Sequence, residues 1–241
     1  MGTRVSDAWR VSRGRVGKWS VWKFNWLANH KIIRVLERAR VHAHGRLLDV
    51  GCGSRPFAST FAGRITHYIG TDLYASPYLD SHPPDIRAAA DAQPIRSASM
   101  DTVFGLSMLT YLPEPLRMIE EAYRVLKPGG MLLLEFTQMV PLHDPPNDYF
   151  RFTRYGAAYL LERAGFEPVE FIPIGGLWAR VGLSTIAALN RVNRGPTRVL
   201  TEIPVRILYV VLQVGFELLD RLWFDPDEVL AHLVIARKPH S

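Results

Sequence analysis

Three acidic residues, Asp49, Asp72 and Asp91, stand in order along the first half of the chain. The first opens Asp49-Val50-Gly51-Cys52-Gly53-Ser54, where glycines let the backbone approach a ligand without a Cβ clash. A helix following that turn would offer free N–H groups at its start. Asp72 comes nineteen residues after Gly53, in Tyr68-Ile69-Gly70-Thr71-Asp72-Leu73. An acid so placed can accept hydrogen bonds from both ribose hydroxyls. Asp91, in Ala90-Asp91-Ala92, could meet an adenine amino group, and by itself it reads equally well as a solvated loop acid. A lone G-x-G also reads as an ordinary strand–turn–helix. Three such pieces in order, at the carboxyl ends of successive strands, describe a nucleotide site. A dinucleotide fingerprint would place a third glycine at position 56, where Pro56 stands.

The elements that must carry these residues follow from periodicity. Short apolar runs predict strands at Arg46–Val50, His67–Leu73, Ile86–Ala90, Asp101–Ser107 and Met131–Thr137. Val169–Ile174 and Leu233–Arg237 complete seven. Between them, helices are predicted from Pro115 to Leu126, stopped by Lys127-Pro128-Gly129-Gly130, and from Thr153 to Ala164, closed by Gly165. An N-terminal helix is expected over residues 19–40, with Trp22, Trp26, Ile33 and Leu36 at helical spacing. The alternation predicts a doubly wound, Rossmann-like α/β sheet of seven strands, the last antiparallel. Two parts are expected: a basic, Trp-rich helical cap over residues 1–45, and a catalytic domain over residues 46–241. The latter carries a hydrophobic helical insert at about 175–231, between strands six and seven.

The motifs together resemble the class I S-adenosylmethionine-dependent methyltransferases, and most closely the methyltransferase type 11 family. The resemblance rests on Leu48-Asp49-Val50-Gly51-Cys52-Gly53-Ser54, Gly70-Thr71-Asp72, Asp91-Ala92, Ser99-Met100-Asp101 and Glu121-Ala122-Tyr123-Arg124-Val125-Leu126-Lys127-Pro128-Gly129-Gly130. It covers about residues 46–175. It implies S-adenosylmethionine as cofactor, with Asp49, Gly51, Cys52 and Gly53 at its methionine end. Asp72 and Leu73 then belong at the ribose, Asp91 and Ala92 near adenine, and Ser107 and Met108 beside the cofactor. The family often carries a glutamate–histidine pair a few residues beyond Met108. Thr110-Tyr111 stands there instead, leaving Tyr111 as a weak catalytic candidate and assigning Cys52 no chemistry.

The segment Leu142-His143-Asp144-Pro145-Pro146-Asn147-Asp148-Tyr149-Phe150-Arg151-Phe152-Thr153 is the densest polar patch on the expected ligand edge. It resembles a segment in a bacterial subgroup of these enzymes linked to cell-envelope or glycan biosynthesis. Methyl transfer to oxygen or nitrogen frequently needs a base, and His143 has the side chain whose ordinary pKa suits that role. Asp148, Tyr149 and Arg151 are substrate-side candidates. The alternative is that Asp148 and Arg151 pair to hold the loop while His143 is merely solvated. Two other matches are decoys. Tyr123 and Lys127 have dehydrogenase-like spacing on the wrong sheet edge, and Asp144-Pro145-Pro146-Asn147 lacks the aromatic residue and position of a base-amino methylase.

Composition narrows the classes. A single cysteine leaves no disulfide scaffold and no Cys-rich zinc site, and no metal is expected. The longest charge-free run is twelve residues, Thr102 to Pro113, against the roughly 20 needed to span a bilayer. No secretory signal is visible, so a cytoplasmic protein is expected, with peripheral contact to the inner membrane face as one option. Residues 1–46 hold 11 basic residues against Asp7 and Glu37, a net of +9; the rest carries −3. All six tryptophans fall outside the predicted catalytic core. Within the insert, a helix at about Glu202 to Arg221 confines its polar residues to an arc of roughly 100°. It is therefore buried on two sides or rests in something apolar. Such a surface fits a membrane and a small-molecule, glycan or lipid-linked acceptor, or a lid, or a homodimer interface. An idle cofactor-binding adaptor and an RNA methyltransferase guided by the basic arm stay open. Nucleic acid ranks lower because residues 176–228 carry six basic and six acidic side chains.

Overall fold

The computed structural model describes residues 20–73, 76, 83–193 and 198–240. The arm up to residue 19, with Trp9 and Trp19, lies outside that range. Seven strands form one sheet: β1 Gly45–Val50, β2 Ile65–Asp72, β3 Ile86–Arg87, β4 Met100–Gly105, β5 Leu126–Thr137, β6 Glu167–Ile174 and β7 Ala231–Arg237. Their order is β3-β2-β1-β4-β5-β7-β6, and only β7 runs antiparallel to its neighbours.

Both faces are covered, so the central strands are apolar throughout rather than alternating. Leu132, Leu134 and Phe136 of β5 join one core, against α2 (Pro115–Val125) and α3 (Arg154–Arg163). Met131 and Leu133 join the other, against Leu36 and Ala39 of α1 (Trp26–Ala39). Pro115 occupies the first turn of α2, and Thr153 caps α3 by accepting the Gly156 N–H at 3.1 Å. The chain order reverses on either side of β1 and β4, which opens a crevice at the carboxyl ends of these strands.

Four boundaries differ from the sequence expectation. The N-terminal helix begins at Trp26, because residues 20–25 form turns closed by Lys23 N–H to Ser20 and Trp26 N–H to Lys23. Trp22 therefore leaves the helical stripe and is exposed. Strand β5 begins at Leu126, taking in the Pro128-Gly129-Gly130 segment through a register shift opposite β4. Strand β3 stops at Arg87, and Ala89 and Ala92 close a tight antiparallel bridge instead. Finally, no α-helix follows β1. Residues 51–64 form turns and a single 3-10 stretch, Ala58–Phe61. Pro56 lacks an N–H and Gly63 takes a left-handed φ of 77°, which leaves too little chain for a helix.

The insert holds two helices, α4 (Leu177–Val192) and α5 (Arg198–Leu222). Strand β6 is parallel to β5, so the chain leaves it at the crevice edge, and α1, α4 and α5 pack together there.

Candidate active site

The crevice at the switch point encloses about 600 Å³, within the usual range of small-molecule sites. Its floor is the turn after β1, where Gly51 and Gly53 have φ of 71° and 51°. A Cβ on Gly51 would lie 1.9 Å from the Met108 Sδ, so the bare Cα lets that side chain form the wall. The expected helix start does not supply N–H groups here. Instead Gly51 and Cys52 donate to the Thr71 carbonyl, and Gly53 donates to the Asp72 Oδ2 at 2.7 Å. Strand β2 thus holds the turn.

Asp49 is buried beneath this floor and accepts a hydrogen bond from the Tyr68 hydroxyl. Burial pushes its carboxyl up to about 7, against the pull of the Tyr68 hydrogen bond and with the Asp72 charge adding. Burial also pushes the Cys52 thiol up to about 12, so no thiolate chemistry is expected from it. Opposite stands Ser107, a non-glycine residue at φ 54°. Its N–H donates to the Glu135 Oε2 at 2.6 Å, and the Thr137 hydroxyl donates to Glu135 Oε1 at 2.9 Å. The buried carboxylate therefore holds an uncommon backbone turn at the site.

Among the sequence candidates, Asp49, Gly51, Cys52, Gly53, Asp72, Leu73, Ser107, Met108, Tyr111 and Tyr149 all border this cavity. Asp91 and Ala92 do not. They are exposed on the tight turn closed by Ala89 and Ala92, which Glu121 and Arg124 of α2 anchor through Gln93. Asp148 and Arg151 do not border it either. Arg151 pairs with both Asp148 oxygens and donates to the Val140, Pro141 and Phe150 carbonyls, while Asp148 accepts the His143 N–H at 2.6 Å. They staple the loop, which projects Asp144, Asn147 and Tyr149 into the cavity. Tyr123 and Lys127 lie far from it: Lys127 pairs with Asp101, and Tyr123 packs on Phe166.

A second chamber of about 90 Å³ shares Ser107 and Tyr111 with the first. His143, Asn29, Thr110, Glu135 and Thr137 add to its polar lining, and Ile32, Leu183 and Leu230 to its apolar one. The His143 ring is largely buried, with Nδ1 3.3 Å from an Asp144 oxygen and the ring edge-on to Tyr111. Sequence reasoning passed over Glu135, although a lone acid in Met131-Leu132-Leu133-Leu134-Glu135-Phe136 was a signal, since unpaired acids are seldom buried. It also named α4 nowhere, and α4 walls this chamber.

The family model for a methyltransferase domain matches residues 48–134, from β1 to β5. Over these residues the chain is similar to the class I S-adenosylmethionine-dependent methyltransferases. It is 29% identical over 175 residues to a probable S-adenosylmethionine-dependent methyltransferase of Mycolicibacterium smegmatis, covering 68% of this chain and 66% of that one. It is 33% identical over 120 residues to an uncharacterized methyltransferase of Mycobacteroides abscessus, covering 45% and 46% respectively. Both matches take in less than two thirds of those relatives' lengths. The fold is similar to that of a putative methyltransferase from Bacillus halodurans, with a TM-score of 0.55 at 18% identity, over 86% of this chain and 98% of that one.

The cofactor of this methyltransferase family is S-adenosylmethionine, and the large cavity suits it. Three carboxylates, Asp49, Asp72 and Asp144, border the cavity among the described residues, and no lysine or arginine does. Such a lining favours a cationic ligand and opposes a diphosphate. The family match ends before the loop after β5, so of the second chamber's lining only Ser107, Thr110 and Tyr111 lie within it.

Proposed function

We propose that the protein transfers the methyl group of S-adenosylmethionine to a small-molecule, glycan or lipid-linked acceptor whose reacting end enters the second chamber. The observation that carries this reading is the meeting of the two cavities at Ser107 and Tyr111. A methyl donor in one and a nucleophile in the other would face each other across that wall. The bound cofactor supplies an activated methyl group on a sulfonium. On this reading Asp72 accepts from the ribose hydroxyls and Asp49, under the glycine turn, faces the methionine end. Leu73 and Met108 pack against the cofactor.

His143 is the group we assign to take the acceptor's proton, with Asp144 stabilising the charged ring. Tyr111 shapes the passage and holds the His143 ring edge-on. Water is kept out by apolar side chains from α1, β6 and α4, which favours an acceptor with an apolar body and one polar end. A lipid-linked acceptor is the member of the set that fits best, and it would place the enzyme at the cytoplasmic face of a membrane. No helix among the described residues is long and apolar enough to cross one.

The test pairs two measurements. Titration with S-adenosylhomocysteine should show binding. Incubation of a bacterial lysate with methyl-labelled S-adenosylmethionine should put label into an organic-extractable fraction, and His143→Ala should remove labelling while keeping cofactor binding. A folded protein that binds no S-adenosylhomocysteine sinks the reading. Label confined to RNA would replace the acceptor class.

A further inference from the structure

Helix α5 is oriented with its polar side inward. Gln213 is fully buried, accepting the Leu27 N–H at 3.1 Å and donating to the Val21 and Lys23 carbonyls at 2.9 and 3.1 Å. One turn on, Glu217 and Asp220 hold Lys31 of α1 at 2.7 and 2.8 Å. Asp220 also accepts the Gly176 and Ala179 N–H groups, each at 3.0 Å, and so caps α4 from a neighbouring helix. These contacts leave the rotation of α5 no freedom.

The opposite side consists of Ile203, Ile207, Val211, Val214, Leu218 and Leu222, each 50 to 74% exposed. Spaced three or four residues apart, they form one stripe along a helix of about 38 Å. Exposed Trp223 and Phe224 continue it, and Trp22 is exposed beside Val21, which Gln213 holds. A surface helix ordinarily turns such a stripe into the core. Here the core side is occupied by the polar contacts, so the exposed stripe is built in.

We propose that this face docks on an anionic membrane surface, the stripe entering the acyl boundary with the helix axis parallel to the bilayer. Charge selects this occupant. The acids of α5 are taken up internally, Glu202 by Arg206 and Glu217 by Lys31 and Arg221. Residues 20–46, which supply α1 alongside, and α5 together hold nine basic side chains against four acidic ones, a net of +5. A helix with an apolar stripe, flanking tryptophans and basic neighbours suits an interface of anionic headgroups. A second copy on the same face would instead bring two such basic segments together. The inference sharpens the lipid-linked reading above but rests on α5 alone, whichever acceptor is methylated.

The test is sedimentation of the full chain with phosphatidylglycerol–phosphatidylcholine vesicles and with phosphatidylcholine vesicles at low salt. The expected result is binding to the anionic vesicles, weaker on neutral ones, and lowered at least about tenfold by a Val211→Glu/Leu218→Glu variant. S-adenosylhomocysteine affinity should not change in that variant, which separates this test from the test of methyl transfer. Absence of vesicle binding overturns the proposal, and so does binding indifferent to the two substitutions. Light scattering that shows a wild-type dimer made monomeric by them assigns the face to a second copy instead.

Discussion

Asp72 and Gly53 are tied directly: the Asp72 Oδ2 accepts the Gly53 N–H at 2.7 Å, joining the end of β2 to the turn after β1. Its other oxygen accepts the Leu73 N–H at 2.7 Å. Each carboxylate oxygen still has a lone pair for the cavity. We expect Asp72→Ala to weaken S-adenosylhomocysteine binding by at least about tenfold in calorimetry, the loss of a charge-assisted hydrogen bond. Asp72→Asn, which can keep the Gly53 contact, should bind better than Asp72→Ala. Wild-type affinity in Asp72→Ala would remove this residue from the site.

Asp49 gives a pH dependence. Its folded pKa, about 7, lies above the ordinary 3.8, so its contribution to stability is present below about pH 4 and lost as pH rises toward 7. A cationic ligand favours the ionised carboxylate. Affinity for S-adenosylmethionine should therefore rise with pH up to about 7, by at most about tenfold per unit, and then level off. Asp49→Asn should flatten that rise. Titrations between pH 5.5 and 8.5 (a span of about 3 units around the folded value) decide it.

Asp220 should matter to stability rather than to cofactor binding. Its side chain is fully buried between Lys31 and the start of α4. Removing one partner of a buried pair costs about 3–5 kcal/mol. Urea denaturation of Asp220→Ala should show a loss of that order, with S-adenosylhomocysteine affinity kept in the folded protein. A loss under about 1 kcal/mol would mean that water reaches the cluster.

The staple formed by Asp148 and Arg151 should be visible as local order. Asp148→Ala frees Arg151 and the His143 N–H together. Trypsin cleavage after Arg151 should become at least about tenfold faster, because local opening then costs one fewer buried interaction. An unchanged cleavage rate would show that the remaining Arg151 contacts to Val140, Pro141 and Phe150 hold the loop alone.

What the sequence determined by itself is the turn after β1 and the acid that holds it. Gly51, Gly53 and Asp72 were legible because the requirement is local: a glycine at left-handed φ and an acid at a strand end each show in a few consecutive residues. The strands and the helices between them were accessible for the same reason, since short apolar runs and period-3.6 patterns mark which segments are strands and which cover them. Asp91 shows the limit of that logic. Its place in the chain suited adenine, but the Ala89–Ala92 bridge turns it to solvent.

The second chamber was decided by tertiary structure. His143, Glu135 and Leu183 come from a loop, a strand and an inserted helix, and no spacing in the chain connects them. Nor could it be read whether Asp148 and Arg151 reach a substrate or each other, because both readings use the same residues. Helix α5 makes the point most clearly. Its composition showed two unlike faces, but which face meets the protein depended on Lys31 and on the start of α4, more than forty residues from Asp220. Amphipathicity is a property of one helix, whereas its rotation is fixed by the partners that satisfy its buried charges.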